Sequence, residues 1–284
     1  MTVSNSATNI SAWLGRQQQA NDHVAKGMVT ALAATLDLDA EPIVQAGVLP
    51  PLWHWMFFNP PARQSQLGTD GHPARGGFLP AIELPNRMWA GSRLRFVQDI
   101  RIDEEITRHS KIIKCERKSG RNGDLVFVTV RHLINGENGL VMEEEHDIVY
   151  RNPSPKGAPL AGESITETPD FRNHIVPDPV LLFRYSALTF NGHRIHYDHP
   201  YTTQVEGYPG LVFHGPLAAT FLLEGFRAAY PDARVKNFVF RAVGPLFDNQ
   251  TFDVCGKLTA PGQARLWIDC VGRLAMRADV AFEI

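Results

Sequence analysis

Hydrophobic and polar positions along this chain fall into two stretches of strand-like alternation, each introduced by a short apolar run of helical character. Residues 94–102, 107–117, 125–133 and 140–150 alternate or run β-branched. The breaks between them, Lys118-Ser-Gly-Arg-Asn-Gly123 and Asn135-Gly-Glu-Asn-Gly139, are turn chemistry, so the pattern predicts antiparallel hairpins. Further on it predicts a strand over 181–189, a helix over about 216–229, and strands over 237–243, 251–259, 265–272 and 276–284. Upstream, residues 11–40 read as helical, with Ser11 as a cap. Pro50-Pro51 introduces Leu52 to Phe58 as a short buried helix, and Gly68 to Gly77 reads as a loop.

A stretch dense in Pro and Gly, Asn152 to Gly162, runs on into polar residues as far as about Pro179. It divides the chain into units 1–151 and 180–284, joined by a linker over 152–179. In both units an apolar helix precedes an antiparallel meander. Gly47 to Phe58 sits in the first where Gly210 to Phe221 sits in the second. A curved sheet wrapped around a helix accounts for helices that are apolar nearly all round. On pattern alone the fold class is α+β, as two repeats.

Composition narrows the function. With 284 residues, 44% apolar and 20% charged, the chain has ample core material. A net charge of -2 gives no case for nucleic acid or a membrane surface as partner. Cys115, Cys255 and Cys270 are scattered and odd in number, against a disulfide framework or structural zinc. The N-terminus lacks the apolar core of a secretory signal, and the apolar run from Leu211 to Phe226 is broken by His214, Gly215, Pro216 and Glu224. A cytoplasmic protein is expected.

Candidate chemistry is concentrated between Tyr185 and Asp198 and again from Gly210 to Leu217. His193, His196 and His199 fall within seven residues, beside Asn191 and Asp198. His196 is the first candidate for acid–base work near neutral pH, and a loop histidine fixing its neighbours is the plainer reading. Asn191 cannot transfer protons but can orient a water, or simply form a turn with Gly192. The histidine spacing of three suggests a metal only on a helix. Gly192 and Pro200 weaken that helix and no strong carboxylate or cysteine partner completes a set, so no metal is expected. Gly215, just before Pro216, places an amide at a helix N-terminus, where it can polarise a carbonyl or merely cap the helix. His214, Arg194 and Arg184 are candidates for contacting substrate, with solvated surface the default for the arginines. Trp53, His54 and Trp55 read as core.

Ser186 to Asp198 followed by Gly210 to Leu217 resembles the hydroxyacyl-thioester dehydratase type 2 group within the MaoC-like hydratases. Trp13 to Arg16, Ala31 to Leu36, Gly47 to Trp55 and Pro85 to Gly91 are similar to the N-terminal part of the same proteins. Within the group the chain looks most like bacterial enzymes acting on mesaconyl-C4-CoA or itaconyl-CoA. The resemblance implies a double hot-dog fold and reversible hydration of a 2-enoyl-CoA without a cofactor. It places the catalytic motif in the second unit only and leaves the first as scaffold and tail pocket. His196 would be the acid–base group, His193 a reserve, Asn191 a water-positioning residue and Gly215 the thioester carbonyl's donor. A dicarboxylic acyl group would call for a cation, from Arg194 or Arg184. The broader family carries an aspartate five residues before the motif histidine, where this chain has Asn191. A thioesterase and a non-catalytic acyl-thioester-binding protein are the alternatives. Hot-dog sheets pair edge to edge, so monomer and homodimer are both open.

Overall fold

The computed structural model describes residues 10–120, 123–152 and 163–284. The Pro- and Gly-dense centre of the expected linker and the tip of the turn at 121–122 lie outside the described residues. In chain order the elements are β1 (Gln17–His23), α1 (Lys26–Thr35), α2 (Ala40–Ala46), β2 (Asn86–Phe96), β3 (Glu105–Gly120), β4 (Gly123–Gly136) and β5 (Gly139–Arg151). Then follow β6 (Phe171–Ile175), α3 (Pro179–Leu188), α4 (Gly215–Ala229), β7 (Arg234–Ala242), β8 (Phe252–Ala260), β9 (Gln263–Cys270) and β10 (Arg273–Glu283). Short helical turns lie at Trp53–Met56, Gln64–Gln66, Arg194–His196 and Tyr201–Val205.

The ten strands among the described residues form one antiparallel sheet in the order β1-β3-β4-β5-β2-β7-β10-β9-β8-β6. Read outward from its middle, the order is the same in each half, so the two halves are repeats joined at β2 and β7. This is a double hot-dog. At the joint Gly91 pairs with Arg241. A Cβ at Gly91 would lie 2.3 Å from the Phe240 carbonyl oxygen, so only glycine lets the two strands meet there.

The repeat extends to the segments before each central helix. Val48 bridges to Arg101 as Val212 bridges to Phe247. The Leu49 N–H donates to the Ile100 carbonyl as the Phe213 N–H donates to that of Leu246, each at 2.8 Å. These bonds shift the correspondence by one residue from Gly47 opposite Gly210, and set Pro50-Pro51 opposite His214-Gly215. Beyond that point the halves diverge. The second has the 15-residue α4, with Leu217, Leu222, Leu223 and Phe226 buried against β8, β9 and β10. The first has only the turn at Trp53–Met56. Trp53 links the two, its indole N–H donating to Glu224 of α4 at 2.9 Å.

Three expectations are corrected. Residues 11–40 are not continuously helical, because Gln17–His23 forms β1. The linker span holds β6. Both are polar edge strands, each paired on one side only, so they need no apolar run. The expected strand over 181–189 is the helix α3, started by Asp178, whose carboxylate accepts the Leu181 N–H at 2.7 Å, and by Pro179 in the first turn. The cysteines are free thiols, and no helix among the described residues is long and apolar enough to cross a membrane.

Candidate active site

The loop from Phe190 to Tyr197 carries the histidines between α3 and the segment that enters α4. The Asn191 N–H caps the end of α3 by donating to the Ser186 carbonyl at 2.8 Å, and its side-chain oxygen accepts the His193 N–H at 3.1 Å. Its carbonyl-type oxygen is therefore engaged in shaping the turn.

His196 is buried. Its Nδ1 lies 2.7 Å from the Val212 carbonyl oxygen. A carbonyl cannot donate, so Nδ1 carries the hydrogen and the neutral ring presents its lone pair at Nε2. The ring stacks on His214, with centroids 3.7 Å apart and planes 17° from parallel. Burial pushes the His196 pKa down to about 4, so the ring is a neutral base at physiological pH. His214 is buried as well, with Nε2 2.9 Å from the Ser186 hydroxyl, and burial holds its pKa well below the usual value. Its Nδ1 has no hydrogen-bond partner among the described residues. It supports the His196 ring from behind rather than presenting a polar edge at the surface.

Residue 214 also precedes α4, so the Gly215 amide opens that helix. The first intrahelical bond, from the Ala218 N–H to the His214 carbonyl at 3.0 Å, leaves the Gly215 N–H outside the helical pattern. A Cβ at Gly215 would meet nothing within 4 Å, so no packing contact requires glycine at this helix start. At the related place in the first half, Pro50 and Pro51 have no amide hydrogen to offer. A cleft of about 310 Å³ lies there, lined by Val48 to Leu52, Phe96 to Ile100 and Pro231 to Val235.

The arginines behave differently from one another. Arg194 is fully engaged: Nε and Nη2 donate to Asp198 at 2.9 and 2.7 Å, Nη1 donates to the Thr69 carbonyl at 3.0 Å, and the guanidinium lies 4.0 Å over the Tyr201 ring. It fastens a first-half loop to the second half. Arg184 is exposed on α3, with no ion pair among the described residues. His199 is exposed, away from the other two histidines of its cluster.

Residues of the first half that read only as loop in the sequence complete the site. Asp70-Gly71-His72 reaches across the halves: the Arg194 N–H donates to the Asp70 carbonyl at 2.9 Å. Gly71, at φ 86°, packs so closely that a Cβ would lie 1.9 Å from the Gly192 carbonyl oxygen. The His72 Nδ1 is 3.0 Å from an Asp70 carboxylate oxygen, and its ring centroid lies 4.0 Å from that of His193. His193 in turn meets His196 edge to face at 5.4 Å. Asp70, His72 and His193 bring one nitrogen or oxygen each within 4.8 Å of one another, a composition that also occurs in metal sites. A charged residue and a histidine in a glycine-bearing loop were the only local signal.

A buried neutral imidazole on the loop after α3, stacked on the residue that precedes a helix-start amide, sits in a double hot-dog. The model of the hydroxyacyl-thioester dehydratase type 2 family matches residues 52–248, and the chain belongs to that family. It is a hydro-lyase that interconverts 3-hydroxyacyl and 2-enoyl thioesters. It is 46% identical to a mesaconyl-C(4)-CoA hydratase of Chloroflexus aurantiacus over 92% of each chain. A solved MaoC-like dehydratase from Phytophthora capsici superposes with TM-score 0.70 at 13% identity, covering 98% of this chain and 99% of that one. A conserved hypothetical protein of Mycobacterium tuberculosis with a double hot-dog fold gives TM-score 0.60 at 14% identity, over 95% and 96%. The last two likenesses concern the fold.

Proposed function

We propose that this chain hydrates a short 2-enoyl-CoA with a C5 dicarboxylic acyl group, of the mesaconyl-C4-CoA or itaconyl-CoA kind, and dehydrates the product in reverse. The observation that carries the mechanism is His196, with Nδ1 held by the Val212 carbonyl, on the segment that leads to the Gly215 amide. The Gly215 N–H donates to the thioester carbonyl, and the α4 dipole stabilises the enolate-like charge as water adds at the β-carbon. His196 takes the proton from that water through Nε2. Asn191 shapes the loop that presents the histidines, and His193 stands beside them as a further imidazole. The first half serves as scaffold and shapes the acyl pocket, consistent with the prolines that replace its helix-start amide. The substrate class rests on the Chloroflexus relative named above, at 46% identity over most of both chains.

The test is loss of the enoyl-thioester absorbance with crotonyl-CoA, mesaconyl-C4-CoA and itaconyl-CoA in parallel, with free thiol monitored. Histidine-dependent loss without thiol, fastest on a dicarboxylic substrate, supports the reading. Release of thiol points to a thioesterase, and binding without turnover to a carrier.

A further inference from the structure

The concave face of the first-half sheet is unlike that of its repeat. The correspondence that sets Ile100 opposite Leu246 carries, through the strand registers, Met142 onto Met276, Ser92 onto Phe238, His132 onto Leu266, Glu144 onto Ala278 and His146 onto Val280. In the second half these positions are buried and apolar, part of the core that surrounds α4. In the first half, which has only a short turn there, a polar band takes their place. His132 and His146 are enclosed by protein and yet keep accessible surface, as do His72 and His193. Side chains with both properties line a recess. A recess for a long hydrocarbon tail would be apolar, so this lining suits a short polar acyl group.

Arg87 stands where that recess reaches the histidine loop. It lies on β2 opposite Tyr150, two residues before Trp89 and so on the same face. Trp89 stacks on His146, with ring centroids 3.9 Å apart. The Arg87 guanidinium donates to the Tyr150 hydroxyl, and its charge acts both on His146 and on His72 and His193. The other arginines of the site are engaged. Arg194 is held by Asp198 and the Thr69 carbonyl. Arg75 Nη1 donates to the Ile82 and Leu84 carbonyls at 2.5 and 2.7 Å, and its Nη2 to that of Pro85. The carboxylates are engaged too, Asp70 by His72, and Glu144 by Ser92, Trp55 and His54. Arg87 forms no ion pair among the described residues. A half-buried guanidinium without a carboxylate is a place for an anion that the ligand brings.

We propose that Arg87 is the specificity-determining residue that receives the second carboxylate of the acyl group and so selects a dicarboxylic enoyl thioester. The proposal rests on the hydratase reading above and supplies the cation that Arg194 and Arg184 do not. In a thioester of the mesaconyl-C4 kind that carboxylate sits on the β-carbon, the atom that water attacks. A cation for it must therefore stand beside the histidine loop, as Arg87 does. The guanidinium donates to both carboxylate oxygens through paired N–H groups. It also offsets the negative charge that the carboxylate presents to the incoming oxygen. A crotonyl group, with a methyl in place of the carboxylate, gains neither. No bond of Arg87 forms or breaks, and the proton transfers stay with water and His196.

The experiment measures kcat/KM on mesaconyl-C4-CoA and on crotonyl-CoA for wild type, Arg87→Met and Arg87→Lys. Calorimetric affinities for succinyl-CoA and butyryl-CoA, saturated thioesters with and without the carboxylate, give the same comparison without turnover. In Arg87→Met the mesaconyl-to-crotonyl ratio is expected to fall about 100-fold or more, with the succinyl-to-butyryl affinity ratio falling alongside. Arg87→Lys keeps the charge without the paired donors and should recover part of both ratios. A purely structural role would lower both members of each pair alike and leave the ratios in place. So would a role in holding the CoA phosphates, which all four thioesters carry. Unchanged ratios in Arg87→Met therefore overturn the proposal and leave the hydratase reading intact. A wild type that hydrates neither substrate defeats the hydratase reading itself. A wild type that hydrates crotonyl-CoA as well as mesaconyl-C4-CoA overturns the dicarboxylic substrate class, and the role of Arg87 with it.

Discussion

His196 and His214 lie face to face, 3.7 Å between ring centroids, and each ring is anchored from the side: His196 by the Val212 carbonyl, His214 by the Ser186 hydroxyl. The stack fixes the plane of the base without using its Nε2. Replacing His214 by Ala removes the support and leaves the Ser186 hydroxyl buried without its partner. The expected outcome is a kcat lowered about 10- to 100-fold, since an ångström of displacement at a reacting group costs on that order. Stopped-flow loss of enoyl absorbance checks it, and an unchanged kcat would show that the ring is held by the Val212 bond alone.

Gly71 and Gly192 meet back to back across the two halves. At Gly71 a Cβ would lie 1.9 Å from the Gly192 carbonyl oxygen, and the backbone has φ 86°. Gly71→Ala must therefore push the Asp70–His72 loop away from His193. Activity should fall by about 100-fold while the far-ultraviolet circular dichroism spectrum keeps its shape. Wild-type turnover in this variant would mean that the loop contact has no part in catalysis.

Stability should decline on mild acidification. His132, His146 and His196 are lowered by burial from 6.5 to about 3, about 4 and about 4. The folded form therefore binds fewer protons than the unfolded chain below pH 6.5. The stability these neutral rings contribute is fully present above about 6.5 and is lost as pH falls toward about 4, so the melting temperature should drop through that window. A flat melting temperature between pH 7 and 5 would show that the rings are more accessible to protons than their burial implies.

Glu144 is the buried polar centre of the first half. It accepts from the Ser92 hydroxyl at 2.7 Å and from the Trp55 indole, and lies 3.2 Å from the His54 Nε2. Burial works against its charge, and the His54 ring outweighs this and holds the carboxyl below its usual pKa. Glu144→Ala strands those donors in a dry interior and should cost about 3 kcal/mol or more. Glu144→Gln keeps an acceptor and should cost less. Urea midpoints of the two variants check the order.

Features with a local cause were legible in the chain alone. Hairpins announced themselves by alternation and by turns such as Asn135 to Gly139, and α4 by its apolar run behind Gly215-Pro216. The histidine motif was legible because its members sit within a few residues of each other. Even α3 had local signals in Asp178 and Pro179, outweighed by an apolar run that fits strand or helix equally. Other features arise only when distant segments pack. β1 and β6 are polar segments that become strands because a neighbour offers them an edge, which no periodicity records. Arg194, a candidate reader of a carboxylate in sequence, is taken up by Asp198 and by a carbonyl 125 residues away. Asp70 and His72 reach His193 from the other half of the chain, and the pairing of β2 with β7 together with contacts such as Trp53 to Glu224 brings the two halves together. Local patterning fixes which residues can be helix, strand or turn, because its energies act over a few residues. Which side chains meet at the site depends on packing between distant segments, and that information exists only in the folded chain.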